Sequence, residues 1–237
     1  MKNQKSRSLI IAHRGASGLA PENTALSFNK AIELGVDMIE TDCRLTSDGI
    51  VVLIHDSALN DPAGNMLPVA ETSYETLREH KPDLLTLTEA ISLSDRRVRL
   101  MVEIKPDVPA APVMDIIRDF MAKGWQPSDF IFASFDYDVL RQVYADMPEV
   151  ERIVLEVWSG VRAVRRAKRL DTTYLSMDQW FLWWYFVRQI SKHYKLFSYP
   201  DERVFLKLNH TRPSRWFKYG LYGVITDFPD RYTKYTD

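Results

Sequence analysis

The chain has 237 residues, enough for one large α/β domain or two small ones. Its 46% hydrophobic and 27% charged content excludes a disordered or fibrous chain, and a net charge of −1 gives no general electrostatic case for nucleic acid. No uncharged run approaches the ~18 residues of a transmembrane helix. The single cysteine, Cys43, cannot close an internal disulfide, which favours a reducing, cytoplasmic compartment.

The chain starts basic, with Lys2, Lys5 and Arg7. The apolar stretch at 9–12 ends at His13, too short for the roughly 7–15 residues of a signal-peptide core. It is the first of several strand-like runs, followed by 37–41, 50–54, 100–104, 130–133, 152–155, 173–176, 196–199 and 223–226. Helical patterns intervene at 23–34, where Ala25, Phe28 and Ile32 share a face, at 113–122 and at 139–144. Strands alternating with helices predict a parallel sheet with helices outside it. Apolar residues on both strand faces fit a sheet buried on both sides, with Cys43 as a small buried hydrophobe. No linker or short repeat divides the chain, so residues 1–237 are expected to form a single domain.

One connection is different. Thr46-Ser47-Asp48-Gly49 is far shorter than the dozen or so residues of a parallel crossover, and Asp-Gly is a hairpin turn. The second strand is therefore expected to overshoot the sheet and return. Without the returning strand, eight remain, the number of a closed barrel. The expected fold is a TIM (β/α)8 barrel with a β-hairpin extension after strand 2; an open doubly wound sheet has the same local signals. Arg162, Arg165, Arg166, Lys168 and Arg169 read as the solvated face of a helix.

The placement of polar residues carries the functional information. His13 and Arg14 follow the first strand, and Glu40 and Asp42, two apart at the end of the second, point to the same side. His55 and Asp56 end the returning strand, Glu103 and Lys105 end the fourth, and Asp227 follows the last. Ionisable groups that repeatedly end buried strands are costly as core. At the C-terminal mouth of a barrel they would meet.

Glu40, Asp42 and Glu103, with no cysteine beside them, make an oxygen-rich site suited to one divalent cation, Mg²⁺ or Ca²⁺. Three carboxylates and one such cation leave about one negative charge; Arg14 and Lys105 turn that into a site attractive to a mono-anionic phosphodiester. His13 and His55, whose ordinary pKa lies near neutrality, suit the two proton transfers that displacement at phosphorus requires.

His13-Arg14-Gly15, Pro21-Glu22-Asn23-Thr24, Glu40-x-Asp42, Thr46-x-Asp48-Gly49, His55-Asp56, Glu103-x-Lys105-Pro106 and Thr226-Asp227-x-Pro229 follow one another from residue 9 to about 230. In this order the chain resembles the glycerophosphodiester phosphodiesterases. The resemblance implies a TIM barrel and a divalent metal on Glu40, Asp42 and Glu103. It implies His13 and His55 as the acid/base pair and Arg14 and Lys105 as phosphate ligands. A small glycerophosphodiester would be cleaved to an alcohol and glycerol 3-phosphate, through attack of the glycerol 2-hydroxyl and a cyclic phosphate. Phosphatidylinositol-type phospholipase C chemistry, stopping at the cyclic product, and a non-catalytic phosphate-binding module are the alternatives.

The loop 21–24 reads as an entry into a helix capped by Asn23 or Thr24 and shapes the site. Two segments depart from the family pattern. Ser57-Ala58-Leu59-Asn60-Asp61 replaces a basic residue and paired threonines, and Phe197-Ser198-Tyr199-Pro200 replaces a Trp-Thr-Val-Asn segment. Both would border the substrate alcohol or glycerol, and Phe135, Tyr199 and Asp227 are candidates for that pocket.

The run at 180–187 is aromatic on nearly every side of a helix. It reads either as a buried helix covered by a partner subunit or loop, or as a peripheral lipid contact or acyl-chain surface. The second reading points to lysophospholipids. Oligomeric state is not legible in the sequence.

Overall fold

A computed structural model describes residues 7–61, 63–178, 180, 182–199 and 214–232. Lys2 and Lys5, Phe181 and Pro200 lie outside the described residues. Strand β1 (Leu9–His13) leads through helix α1 (Ala25–Glu33) to β2 (Met38–Leu45). After β2 the chain turns back into β3 (Val51–Leu53), then makes a small hairpin of β4 (Ala58–Asn60) and β5 (Met66–Pro68). Helices α2 (Tyr74–His80) and α3 (Leu87–Ser94) precede β6 (Arg99–Ile104). Strands and helices then alternate: α4 (Ala110–Ala122), β7 (Phe130–Ser134), α5 (Tyr137–Asp146), β8 (Glu151–Glu156), α6 (Gly160–Arg169), β9 (Tyr174–Asp178), α7 (Trp184–Ile190), β10 (Lys195–Tyr199), α8 (Ser214–Phe217) and β11 (Gly223–Thr226).

The strand order is β1-β11-β10-β9-β8-β7-β6-β2, and β2 pairs back onto β1. Every pairing around that ring is parallel, so among the described residues eight strands close into the TIM barrel expected from the alternation. The open sheet is excluded by the β1–β2 pairing, with Ile11 opposite Met38 and His13 opposite Glu40. The overshoot is also present. Residues Met38 to Cys43 pair with β6, while Cys43 to Leu45 pair antiparallel with β3. Gly49, at φ 82, takes the left-handed position in the turn.

Side chains alternate between two cores. Ile11, Met38, Met101, Ile131, Ile153, Tyr174, Phe197 and Ile225 fill the barrel interior. Their neighbours, such as Ile10, Ile39, Leu100 and Phe132, face the helices together with Phe28, Val113 and Ile117. Cys43 is buried among this outer set.

The expected helices are present with shifted ends. Thr24, not Asn23, caps α1, in a reciprocal box with Ser27. The strand expected at 50–54 stops at Leu53, so His55 and Asp56 lie in the bend after it rather than at its end. The basic run forms α6, with Arg162, Arg165, Lys168 and Arg169 exposed. In the aromatic run, the α-helix begins only at Trp184, after Leu182 and Trp183 in extended or irregular chain, so the described residues do not form one buried helix. Leu182 and Val187 enter the core, while Trp180, Trp183, Trp184 and Tyr185 stay exposed.

Candidate active site

Because all eight strands are parallel, their C-terminal ends share one mouth. On every strand the inward positions are two apart, and the polar residues continue the inward series upward. Thus Ile11 is followed by His13, Met38 by Glu40 and Asp42, Met101 by Glu103 and then Lys105, and Ile225 by Asp227. His13, Arg14, Glu40, His55, Glu103 and Lys105 line one cavity of about 210 Å³. Its other wall is apolar: Met101, Phe135, Leu155, Tyr199 and Ile225.

Glu40, Asp42 and Glu103 are buried, and each offers an oxygen within 4.8 Å of the others. Glu40 Oε2 accepts from the Arg14 backbone N–H at 3.0 Å, whereas the buried Oε1 has no hydrogen-bond partner among the described residues. The Glu40 carboxyl is pushed up to about 8: burial disfavours its charge and Asp42 repels it, with Glu103 adding to the repulsion. Glu103 is raised for the same reasons. Asp42 is held down to about 2, because Lys105 and Arg14 outweigh its burial. Crowded hard oxygens, one of them orphaned, fit a divalent cation, so this triad can hold a metal ion.

Arg14 and Lys105 line the cavity but are engaged with these acids. Lys105 Nζ lies 2.5 Å from both Asp42 Oδ1 and Glu103 Oε1, and Arg14 Nε lies 3.0 Å from Asp42 Oδ2. Arg14 Nη1 also donates to Glu22 at 2.9 Å. Asn23 completes the cradle: its Nδ2 donates to Asp42 Oδ2 at 3.1 Å, while its Oδ1 accepts from Thr41 at 2.8 Å.

The backbone here is held in an uncommon shape. Arg14, Gly15 and Asn23 have φ of 54, 77 and 56. A Cβ at position 15 would stand 2.4 Å from Ser27 Oγ, so only glycine lets α1 approach this turn.

Both histidines carry a carboxylate on Nδ1. Asp227 sits 2.6 Å from His13 Nδ1 and is held by Ser17 Oγ at 3.0 Å; Asp56 sits 2.8 Å from His55 Nδ1. His13 Nε2 is 3.9 Å from Glu40 Oε2. Burial disfavours the His13 imidazolium, but the Asp227 bond and the Glu40 charge outweigh it and raise the pKa above the ordinary value. The His55 bend is tied down by Arg44, whose Nε donates to the His55 carbonyl at 3.0 Å and whose Nη1 grips Asp107.

Phe135 and Tyr199 stand on the cavity wall, edge to face with centroids 6.4 Å apart. Asp227, expected at the same pocket, is instead behind His13 and not among the lining residues. Sequence reading alone misses Asp227 as the His13 partner, although its inward position at the end of β11 is a usable signal. It also misses Ser17 and Arg44, and it places Glu22 in the loop that shapes the site without naming it as the partner of Arg14.

The model of the glycerophosphoryl diester phosphodiesterase family matches residues 13–199. The chain belongs to that family. As a member it is an enzyme of the phosphoric diester hydrolase class. A glycerophosphodiester phosphodiesterase of Caldanaerobacter subterraneus is 28% identical over 94% of this chain and 96% of its own. A shorter stretch of 69 residues is 51% identical to an uncharacterized Bacillus subtilis protein, covering 29% of this chain and 28% of that one. Among solved structures, an Oleispira antarctica phosphodiesterase in complex with the product sn-glycerol-3-phosphate superposes with a TM-score of 0.79. It is 26% identical and covers 96% of each chain. The matched span contains His13, Arg14, Glu40, Asp42, His55, Glu103 and Lys105. Among the described residues, no helix is long and apolar enough to cross a membrane.

Proposed function

We propose that this enzyme hydrolyses glycerophosphodiesters to an alcohol and glycerol 3-phosphate by acid/base catalysis between His13 and His55. The supporting observation is that both imidazoles share one cavity with Arg14, Lys105, Glu40 and Glu103. Glu40, Asp42 and Glu103 would hold Mg²⁺ or Ca²⁺, since all three offer hard oxygens. Bound there, such a cation supplies Lewis-acid stabilisation of charge on the phosphoryl oxygens. Arg14 and Lys105 face the same cavity and add positive charge where that charge grows.

One histidine takes the proton of the glycerol 2-hydroxyl as its oxygen bonds to phosphorus. The other protonates the departing alcohol oxygen as its bond to phosphorus breaks. Water then opens the cyclic phosphate with the two roles reversed, leaving glycerol 3-phosphate. Asp227 and Asp56 fix the ring orientations through Nδ1, leaving Nε2 for the substrate. A cytoplasmic location suits the single buried thiol.

The test is phosphorus NMR of purified protein with glycerophosphocholine and Mg²⁺ or Ca²⁺. Release of glycerol 3-phosphate is expected. A cyclic phosphate as final product would move the enzyme to the phospholipase C class, and no cleavage of any diester would leave only phosphate binding.

A second reading follows from the apolar wall of Met101, Phe135, Leu155, Tyr199 and Ile225. That wall suits a diester carrying an acyl chain, as in a lysophospholipid, cleaved in the manner of a lysophospholipase D. Equal turnover of lysophosphatidylcholine and glycerophosphocholine would refute a preference for the acylated form.

A further inference from the structure

The two histidines at the mouth are held in different ways. The Asp227 side chain, which meets His13, is 22% exposed and is itself fixed by Ser17 Oγ at 3.0 Å. The Asp56 side chain, which meets His55, is 80% exposed. A bond to so open a carboxylate competes with water and does little to fix a ring. His55 also lies in a bend beyond the end of β3, not on a strand of the barrel. Its placement at the cavity has to come from the backbone that carries it.

Main-chain bonds flank that bend. The Ile54 N–H donates to the Asp42 carbonyl at 3.0 Å, and the Ser57 carbonyl accepts from the Val69 N–H at 2.9 Å. Between them, the His55 carbonyl accepts from Arg44 Nε at 3.0 Å. Arg44 follows Glu40 and Asp42 in the inward series of β2 and stands on the overshoot, opposite Val52 of β3. Its side chain is 12% exposed, and its Nη1 donates to both Asp107 oxygens at 2.9 and 2.7 Å. Asp107 sits in the turn closed by the Val108 N–H on the Lys105 carbonyl at 3.0 Å. One guanidinium thus joins the bend that carries His55 to the loop that follows Lys105.

The surroundings give this clamp something to prevent. A cavity of about 210 Å³ lies beside the bend, with Arg44, Ser57, Val69, Asp107 and Val108 in its wall. A close-packed chain has nowhere to go when one bond is lost. Here, loss of the clamp leaves the bend room to shift.

We infer that Arg44, anchored by Asp107, is a positioning residue that holds His55 at the reaction site. The inference rests on the reading of His55 as one of the acid/base pair. A planar guanidinium can hold a carbonyl and a carboxylate with one rigid group, whereas a lysine ammonium is a point donor on a flexible stem. Misplacing a reacting group by about 1 Å can cost roughly 10²-fold in rate.

The test is kinetics with glycerophosphocholine and saturating Mg²⁺ or Ca²⁺, supported by NMR of the histidine ring protons. Arg44→Ala should lower kcat roughly 10–100-fold with KM within about twofold, because the loss falls on proton transfer and not on substrate binding. Arg44→Lys should not restore the rate. In metal-free Arg44→Ala the His55 ring signal should move or broaden while that of His13 stays in place. The decisive comparison is Arg44→Ala in a His55→Ala background. With no imidazole left to position, it should change kcat by less than about twofold. A merely structural role would lower the residual rate as much as it lowers that of the wild type. Circular dichroism checks folding. If Arg44→Ala does not fold, Asp107→Ala carries the test, since that side chain is 59% exposed, and a fall in kcat of about threefold or more is expected. Additive losses with His55→Ala, a loss confined to KM, an unmoved His55 signal, or wild-type kcat in Arg44→Ala or Asp107→Ala would overturn the inference. Wild-type turnover by His55→Ala would bring down the acid/base reading, and this inference with it. A slow His55→Ala beside a fully active Arg44→Ala would bring down this inference alone.

Discussion

His13 touches more of the proposed chemistry than any other residue, because its two ring nitrogens meet Asp227 and Glu40. If His13 and His55 exchange protons with substrate, His13→Ala and His55→Ala should each lower kcat/KM for glycerophosphocholine by roughly 10²–10⁴-fold. A wild-type rate in either variant would remove that residue from the mechanism. Asp227 contributes through His13. Its hydrogen bond and charge help raise the imidazole pKa, while His13 in turn holds the Asp227 carboxyl low against its burial. Asp227→Asn keeps the shape and removes the charge, so the His13 midpoint should fall when followed by NMR of the ring protons. An unmoved midpoint would mean that Glu40 alone sets it. Much of this was legible at the residue scale: Glu40-x-Asp42 and Glu103-x-Lys105 announce groups on the inward face of a strand. The Asp227–His13 pair was not, because it joins residues 214 positions apart and only barrel closure brings β11 beside β1.

At the scale of elements, the clearest sequence signals were those with a mechanism in the backbone. Asp48-Gly49 marks the return of β2 into β3 because Gly49 must sit at positive φ. The hairpin of β4 and β5 carries a comparable turn, with Gly64 at φ 87 and Asp61 accepting from the Asn65 N–H at 2.8 Å, but its strands were not legible. Each strand is three residues long, and both lie largely at the surface, so there is little alternation to read. The aromatic run misleads for a related reason: periodicity describes a helix only where one forms, and here α7 begins only at Trp184. Helix α1 shows what a good signal is worth. Thr24 accepts from the Ser27 N–H and donates to the Pro21 carbonyl at 2.7 Å, closing the loop that carries Glu22 and Asn23. Thr24→Ala should therefore cost about 1 kcal/mol, read as a shift of the urea midpoint at unchanged slope. A shift near zero would show that the loop is held by Asn23 and Arg14 instead.

At the scale of the whole molecule, barrel closure forces three carboxylates together, and stability should report that cost. Glu40 in the unfolded chain loses its proton near the ordinary 4.5, but in the fold it keeps it up to about 8. Between those values the folded state binds more protons than the unfolded one, so stability falls as pH rises. His13 acts in the same direction. Its folded pKa is raised above 6.5, so its contribution is complete below that value and is lost as pH climbs through the raised one. Asp42 and Asp227, both lowered, keep their contributions across this range and lose them only in acid, below the ordinary 3.8. Protein stripped with a chelator should accordingly show a Tm that declines from about pH 5 to about pH 8. A divalent cation bound by the same carboxylates opposes this decline, since it favours their charged forms and binds only the folded chain. Saturating Mg²⁺ or Ca²⁺ should raise Tm most at the alkaline end and flatten the slope. Calorimetric scans at several pH values, with and without cation, check both halves. A Tm indifferent to cation at pH 8 would mean that Glu40, Asp42 and Glu103 are neutralised by Arg14 and Lys105 alone.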